Sequence, residues 1–227
     1  MPDLPWNKIK TVLLDMDGTL LDLHYDSHFW LEHLPKKYAG IKGISEEQGK
    51  EYMMAEYRQV FGTIDWYCLD YWADKLQLDI MQAKREVEHL ISMRDDTIPF
   101  LDALKNSGRE VILVTNAHPG SLSLKIEHTA LDSHIDTLIS THEFGVTKES
   151  QLLWQKLQQR VGFDSKHTLF VDDSLPILQS AKDFGIAHLL AVSNPDSQLP
   201  IKDVTQFLAT SDYRTMLDDI KNAPFAG

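Results

Sequence analysis

Asp15 and Asp17 stand two residues apart in Asp15-Met16-Asp17-Gly18-Thr19, directly after an apolar run at residues 9–14. Two carboxylates so placed, followed by a glycine that can turn the chain, suit a nucleophile and a general acid acting on one reacting group. Other polar clusters are placed in the same way. Thr115-Asn116 follow the apolar run 111–114 and Asp172-Asp173 follow 168–171, while Lys148 lies between the runs 137–139 and 168–171, just ahead of a helical pattern. Three or four carboxylates brought together repel one another and resist ionisation unless a cation neutralises them, so the set implies a metal. Oxygen donors without a cluster of His or Cys favour a hard ion, and Mg²⁺ takes one or two carboxylates while keeping several waters.

Hydrolysis of a phosphate monoester through an aspartyl phosphate is the chemistry this set suits. Asp15 would attack phosphorus, while Lys148 and Mg²⁺ offset charge on the transferring group and Thr115 donates a hydrogen bond to it. Asp17 would protonate the leaving oxygen and then deprotonate the attacking water. Asp15, Asp173 and the carbonyl of Asp17 are the expected metal ligands, with Asp172 assisting directly or through a water. Gly18, Thr19 and Asn116 are the expected substrate-binding positions.

The elements that must position these residues follow from the apolar pattern. Runs at 9–14, 111–114, 137–139, 168–171 and 187–192 are apolar on both faces and read as buried parallel strands. Helical patterns near 98–106, 121–131, 149–161 and 175–184 alternate with them, which predicts an α/β, Rossmann-like three-layer sandwich with a parallel sheet. In such a sheet the clusters converge on the crevice at the carboxyl ends of the strands. Residues 20–95 break the alternation, with helical patterns in succession and no strand. The expected domains are therefore a core of 1–19 and 96–227 and an inserted all-helical cap of 20–95. Ser45-Glu46-Glu47-Gln48 reads as a capping box for a helix to about Val60, residues 66–77 as a second helix, and Asp79 as the cap of a third.

The chain has 227 residues, 43% hydrophobic and 25% charged, ordinary globular proportions with a net charge of −12. That charge argues against non-specific nucleic-acid binding but not against a small phosphorylated ligand held locally. No apolar run approaches the ~20 residues that span a bilayer, and a cytoplasmic protein is expected. Cys68 is the only cysteine, which excludes an intramolecular disulfide and, on the count of cysteines, a cysteine-based metal site or redox pair. His24 and His28 have the spacing of a zinc pair on a helix but no evident third ligand, so ordinary polar contacts are expected. No signature of an oligomeric state is present.

In order, Asp15-Met16-Asp17-Gly18-Thr19-Leu20, Val114-Thr115-Asn116, Lys148 and Val171-Asp172-Asp173-Ser174 resemble the four signature motifs of the haloacid-dehalogenase superfamily. The resemblance implies a Rossmann-like core, obligate Mg²⁺, an aspartyl-phosphate intermediate and a helical cap between the first two motifs. Residues 15–23 with His28-Phe29-Trp30 also resemble the bacterial purine nucleotidase branch that acts on GMP and IMP, which implies a purine mononucleotide as substrate. Two positions depart from the common pattern: Ile177 stands where many members carry a further Asp, and Lys148 precedes Glu149 rather than a proline. Lys125 is the rival for the lysine role.

Residues 20–95 hold three of the five Trp and six of the seven Tyr. A small helical module needs such side chains for its own core, and one or two facing the ligand would give a planar base a stacking surface. A sugar-phosphate phosphatase or a phosphomutase would share the core and differ in cap and product. A catalytically idle binding protein on the same fold is the non-enzymatic alternative. A phosphorylated receiver domain is excluded by residue order, since its paired acids precede the acceptor Asp.

Overall fold

The structure, a computed structural model, describes residues 3–225. Its strands β1 (Thr11–Leu14), β2 (Glu110–Thr115), β3 (Thr137–Ser140), β4 (Thr168–Asp172), β5 (His188–Val192) and β6 (Leu208–Thr210) form one sheet in the order β3-β2-β1-β4-β5-β6. Every pairing is parallel. Alternation of side chains along each strand sends Val12, Leu14, Val111, Leu113, Leu169 and Val171 to one face and Leu13, Ile112, Val114 and Phe170 to the other. Both faces are covered, which is why these strands are apolar throughout.

Within residues 20–95, after β1, the chain makes six α-helices: α1 (His24–His28), α2 (Leu34–Lys42), α3 (Glu46–Val60), α4 (Ile64–Tyr67), α5 (Leu69–Leu76) and α6 (Ile80–Glu86). Helix α7 (Thr97–Asn106) precedes β2, α8 (Pro119–Thr129) follows it, α9 (Gln151–Val161) precedes β4, α10 (Leu175–Phe184) follows it and α11 (Leu217–Asn222) closes the chain. One sheet face packs on α7, α11 and the turn leading into α11 through Phe100, Leu104, Ile220 and Met216, the other on α9 and α10 through Trp154, Leu157, Leu178 and Ala181. The result is the expected Rossmann-like three-layer sandwich.

Helices α1 to α6 build a separate apolar cluster from Tyr25, Phe29, Tyr57, Trp72 and Leu76, which Leu124 of α8 joins. Ser45 and Gln48 form the expected capping box of α3, and the Asp79 side chain accepts from the Gln82 N–H at the start of α6. The helix expected at 66–77 is broken. The backbone is extended at Cys68 (φ −83°, ψ 111°), and the Trp72 indole N–H donates to the Trp66 carbonyl (3.0 Å), the acceptor a continuous helix would offer to Asp70. Between α1 and α2 the turns widen into a π-helical stretch, Phe29–His33. Pro35, two residues beyond it, has no N–H for the Leu31 carbonyl and would crowd it in a regular helix, and the wider turn relieves both. Strand β6 and helix α11 lie in a stretch whose apolar spacing predicts neither.

Candidate active site

The carboxyl ends of β1, β2 and β4 bring Asp15, Thr115 and Asp172 to one crevice. Lys148 reaches it from the loop before α9. Its Nζ donates to Asp15 Oδ1 and to Asp172 Oδ2 (2.7 Å). Burial opposes the lysine's charge, but the two carboxylates outweigh it, and its pKa is raised. Asp15, 6% exposed, is pushed up to about 6 by burial against the pull of Lys148, with Asp172 adding to the rise.

Carboxylate oxygens of Asp15, Asp172 and Asp173 lie within 4.8 Å of one another. Asp172 has a donor on each oxygen, Lys148 on one and the Ser174 N–H (2.8 Å) on the other. No hydrogen bond from a described residue reaches the Asp173 carboxylate, whose pKa is driven well up by burial and by Asp172 and Asp15. Carboxylates held this close, one of them without a donor, are a donor set for a hard divalent cation. Gly18 makes the closeness possible. Its φ is +84°, and a Cβ there would lie 2.8 Å from the Asp173 Cγ.

Asp17 turns away from this group. Lys125 of α8 donates to Asp17 Oδ1 and to Asp26 Oδ2, each at 2.6 Å, and Lys84 of α6 donates to Asp26 Oδ1 at 3.3 Å. Burial, with Asp26 and Asp15 nearby, lifts Asp17 to about 7 in spite of Lys125. A carboxyl near that value can give and take a proton at neutral pH. Lys84 is buried over the Phe29 ring (4.3 Å), and burial lowers its pKa. Asp26 and Lys84 escaped the sequence reading, because nothing local marks a pair 58 residues apart. Lys125, weighed there as a rival to Lys148, instead holds Asp17.

Thr115 accepts the Ala117 N–H at 3.0 Å, which leaves its own hydroxyl hydrogen to donate. Asn116, expected to bind substrate, lines the site's cavity, and its amide is also bonded within the protein. Its Oδ1 accepts from Thr141 Oγ1 and from the Lys148 N–H, both 3.0 Å, and its Nδ2 donates to Glu149 (3.1 Å). The side chain therefore fixes the loop that carries Lys148. Gly18 and Thr19, also expected at the substrate, are not among the cavity-lining residues. Thr19 is fully buried, and its carbonyl accepts from the Tyr213 hydroxyl (3.0 Å).

A cavity of about 330 Å³ opens from Asp15, Asp17, Thr115, Lys148 and Asp173 toward the helical segment, where Trp30, Leu31, Trp66, Tyr67 and Leu69 form its wall. The Tyr67 hydroxyl donates to Glu149 (3.1 Å), tying that wall to the Lys148 loop. Elsewhere, His24 lies 3.8 Å from Asp196, and among the described residues no group of metal donors includes it or His28. Cys68 does have partners: its donor atom lies within 4.8 Å of those of His118 and His142. A count of cysteines alone does not reveal this mixed group of donors.

A parallel sheet with paired acids after its first and fourth strands, and a lysine between them, defines a phosphoryl-transfer type of site. The chain belongs to the haloacid dehalogenase-like hydrolase family, whose model matches residues 9–185. GMP/IMP nucleotidase YrfG of Escherichia coli is 45% identical over 218 residues, covering 96% of this chain and 98% of that protein. Among solved structures, a HAD phosphatase from Thermococcus onnurineus superposes with a TM-score of 0.78 at 22% identity, over 95% of this chain and 100% of that one. L-2-haloacid dehalogenase from Xanthobacter autotrophicus superposes at 0.64 and 15% identity, over 94% and 98%. No helix among the described residues is long and apolar enough to cross a membrane.

Proposed function

We propose that the chain is a cytoplasmic, magnesium-dependent phosphatase that hydrolyses purine 5′-mononucleotides such as GMP and IMP through an aspartyl phosphate on Asp15. The observation that carries this reading is one cavity with Asp15, Lys148 and Asp173 at its floor and Trp30, Trp66 and Tyr67 in its wall. A relative 45% identical over nearly the whole chain bears a name with the same substrates. Residues 20–95 act as a cap over a core of 1–19 and 96–227.

Lys148 occupies Oδ1 of Asp15, which leaves Oδ2 to attack phosphorus. As that bond forms, the ester P–O bond breaks and the leaving oxygen takes the Asp17 proton. Lys148 and the Thr115 hydroxyl balance charge on the phosphoryl oxygens. Water then attacks phosphorus and yields its proton to Asp17, the P–O bond to Asp15 breaks, and phosphate leaves with the nucleophile restored. Asp15, Asp173 and the carbonyl of Asp17 would hold Mg²⁺, with Asp172 assisting through a water. The ion supplies electrostatic stabilisation of the transferring group.

Trp30 and Trp66, with ring centroids 6.4 Å apart and 27° between planes, offer the base an aromatic surface. The test is release of phosphate from a panel of monoesters with Mg²⁺. GMP and IMP should lead it. Strong turnover of sugar phosphates with none of GMP or IMP would overturn the substrate class, and return of phosphate to a second hydroxyl would mark a mutase.

A further inference from the structure

We propose that Cys68, His118 and His142 form a binding site for a borderline-soft divalent metal of the zinc type, which clips the helical segment to the sheet. The three come from separate parts of the fold. Cys68 sits at the bend between α4 and α5, His118 caps α8, and His142 lies in the turn after β3. Their donor atoms are within 4.8 Å of one another, and none belongs to the Asp15, Asp172 and Asp173 group.

A second observation points to a ligand. The Nε2 of His142 is buried and has no hydrogen-bond partner. Buried ring nitrogens normally have one, so an orphan beside a thiol and a second imidazole calls for an occupant. Burial and the neighbouring His118 lower the His142 pKa, against the pull of the Asn116 backbone and of Asp70. The two imidazoles meet edge to face, centroids 5.1 Å apart. Asp70 Oδ2 lies 3.4 Å from His118 Nε2, and a water would supply the fourth ligand of a tetrahedral ion.

One thiolate with two imidazoles selects zinc or cobalt over magnesium. Donors around tetrahedral zinc are spaced by roughly 3.5 Å, so binding draws Cys68 toward the sheet. The thiol proton passes to solvent. His118 Nδ1 now accepts the Gly120 N–H (3.1 Å), so binding through Nε2 moves the ring proton to Nδ1 and releases that bond to water. A clip between the helical segment and the sheet resists the opening that product release from a lidded site requires. Turnover under excess Mg²⁺ should therefore fall as zinc is added.

Because Cys68 is the only cysteine, the wild-type protein reports on the site unaided. Titration with Co²⁺ should produce a thiolate-to-cobalt charge-transfer absorption that saturates at one equivalent, and Zn²⁺ but not Mg²⁺ should bleach it and slow alkylation of the thiol by iodoacetamide. Cys68→Ser and His142→Ala, with circular dichroism and Mg²⁺-dependent turnover retained, should lose the absorption and require at least about tenfold more zinc for inhibition. Absence of the absorption from wild type, or its persistence in His142→Ala, overturns the site. These absorption and alkylation readouts do not depend on which phosphate ester the enzyme hydrolyses.

Discussion

The floor and the wall of the cavity are built from opposite materials. The floor is buried charge: Asp15 and Asp172 stand at the ends of strands bonded into the sheet, and Lys148, from the loop before α9, is tied to both. The wall is aromatic surface on short helices, and most of that surface serves the segment itself. Trp72, Tyr57, Tyr25 and Phe29 are buried in its own cluster, and only Trp30, Trp66 and Tyr67 of the larger rings face the cavity. Chemistry at the floor depends on distances held to fractions of an ångström, whereas recognition at the wall depends on area and shape. The two regions should therefore fail differently: floor mutations in kcat, wall mutations in KM.

The largest separation is expected for Asp15→Asn, which should lower phosphate release from GMP by at least about 10⁴-fold with the fold kept by circular dichroism. Activity within tenfold of wild type would move the nucleophile elsewhere. Chelating the metal should bring turnover toward the same floor. Adding Mg²⁺ back should raise the Tm by roughly 2–4 °C in wild type, and by less in Asp173→Asn; equal shifts in both would separate Asp173 from the ion. Lys125→Met leaves Asp17 without its partner and should reduce kcat on the order of 10²-fold with KM little changed, as steady-state kinetics would read. A change confined to KM would place Lys125 with the wall. The smallest effect is expected for Trp66→Ala, which should raise KM for GMP about 5- to 150-fold, the equivalent of ~1–3 kcal/mol of stacking, while hydrolysis of ribose 5-phosphate is unaltered. Equal losses on both substrates would mean that Trp66 supports the cap and not the base.

Legibility from sequence follows the same division. Buried parallel strands are continuous apolar runs, so β1, β2, β3, β4 and β5 and the polar residues at their ends stand out, and with them Asp15, Thr115 and Asp172, while Lys148 is visible just ahead of the α9 pattern. What stayed hidden joins residues far apart in the chain. Asp26 meets Lys125 across 99 positions and Tyr67 meets Glu149 across 82, and no periodicity marks either. Asn116 was visible as a strand-end amide, but its commitment to Thr141 and the Lys148 N–H appears only once three loops are folded together. The break at Cys68 was missed because Trp66 to Gln77 has helical spacing throughout, and a single indole donor redirects it.

The π-helical stretch Phe29–His33 is, in residue count, an α-helix holding one extra amino acid. Each residue turns an α-helix by about 100°. A one-residue deletion there would wind the segment tighter and swing Trp30 and Leu31 round relative to α2, with the floor of the cavity unaltered. A one-residue change at this point would thus reshape the aromatic wall while leaving the catalytic floor in place.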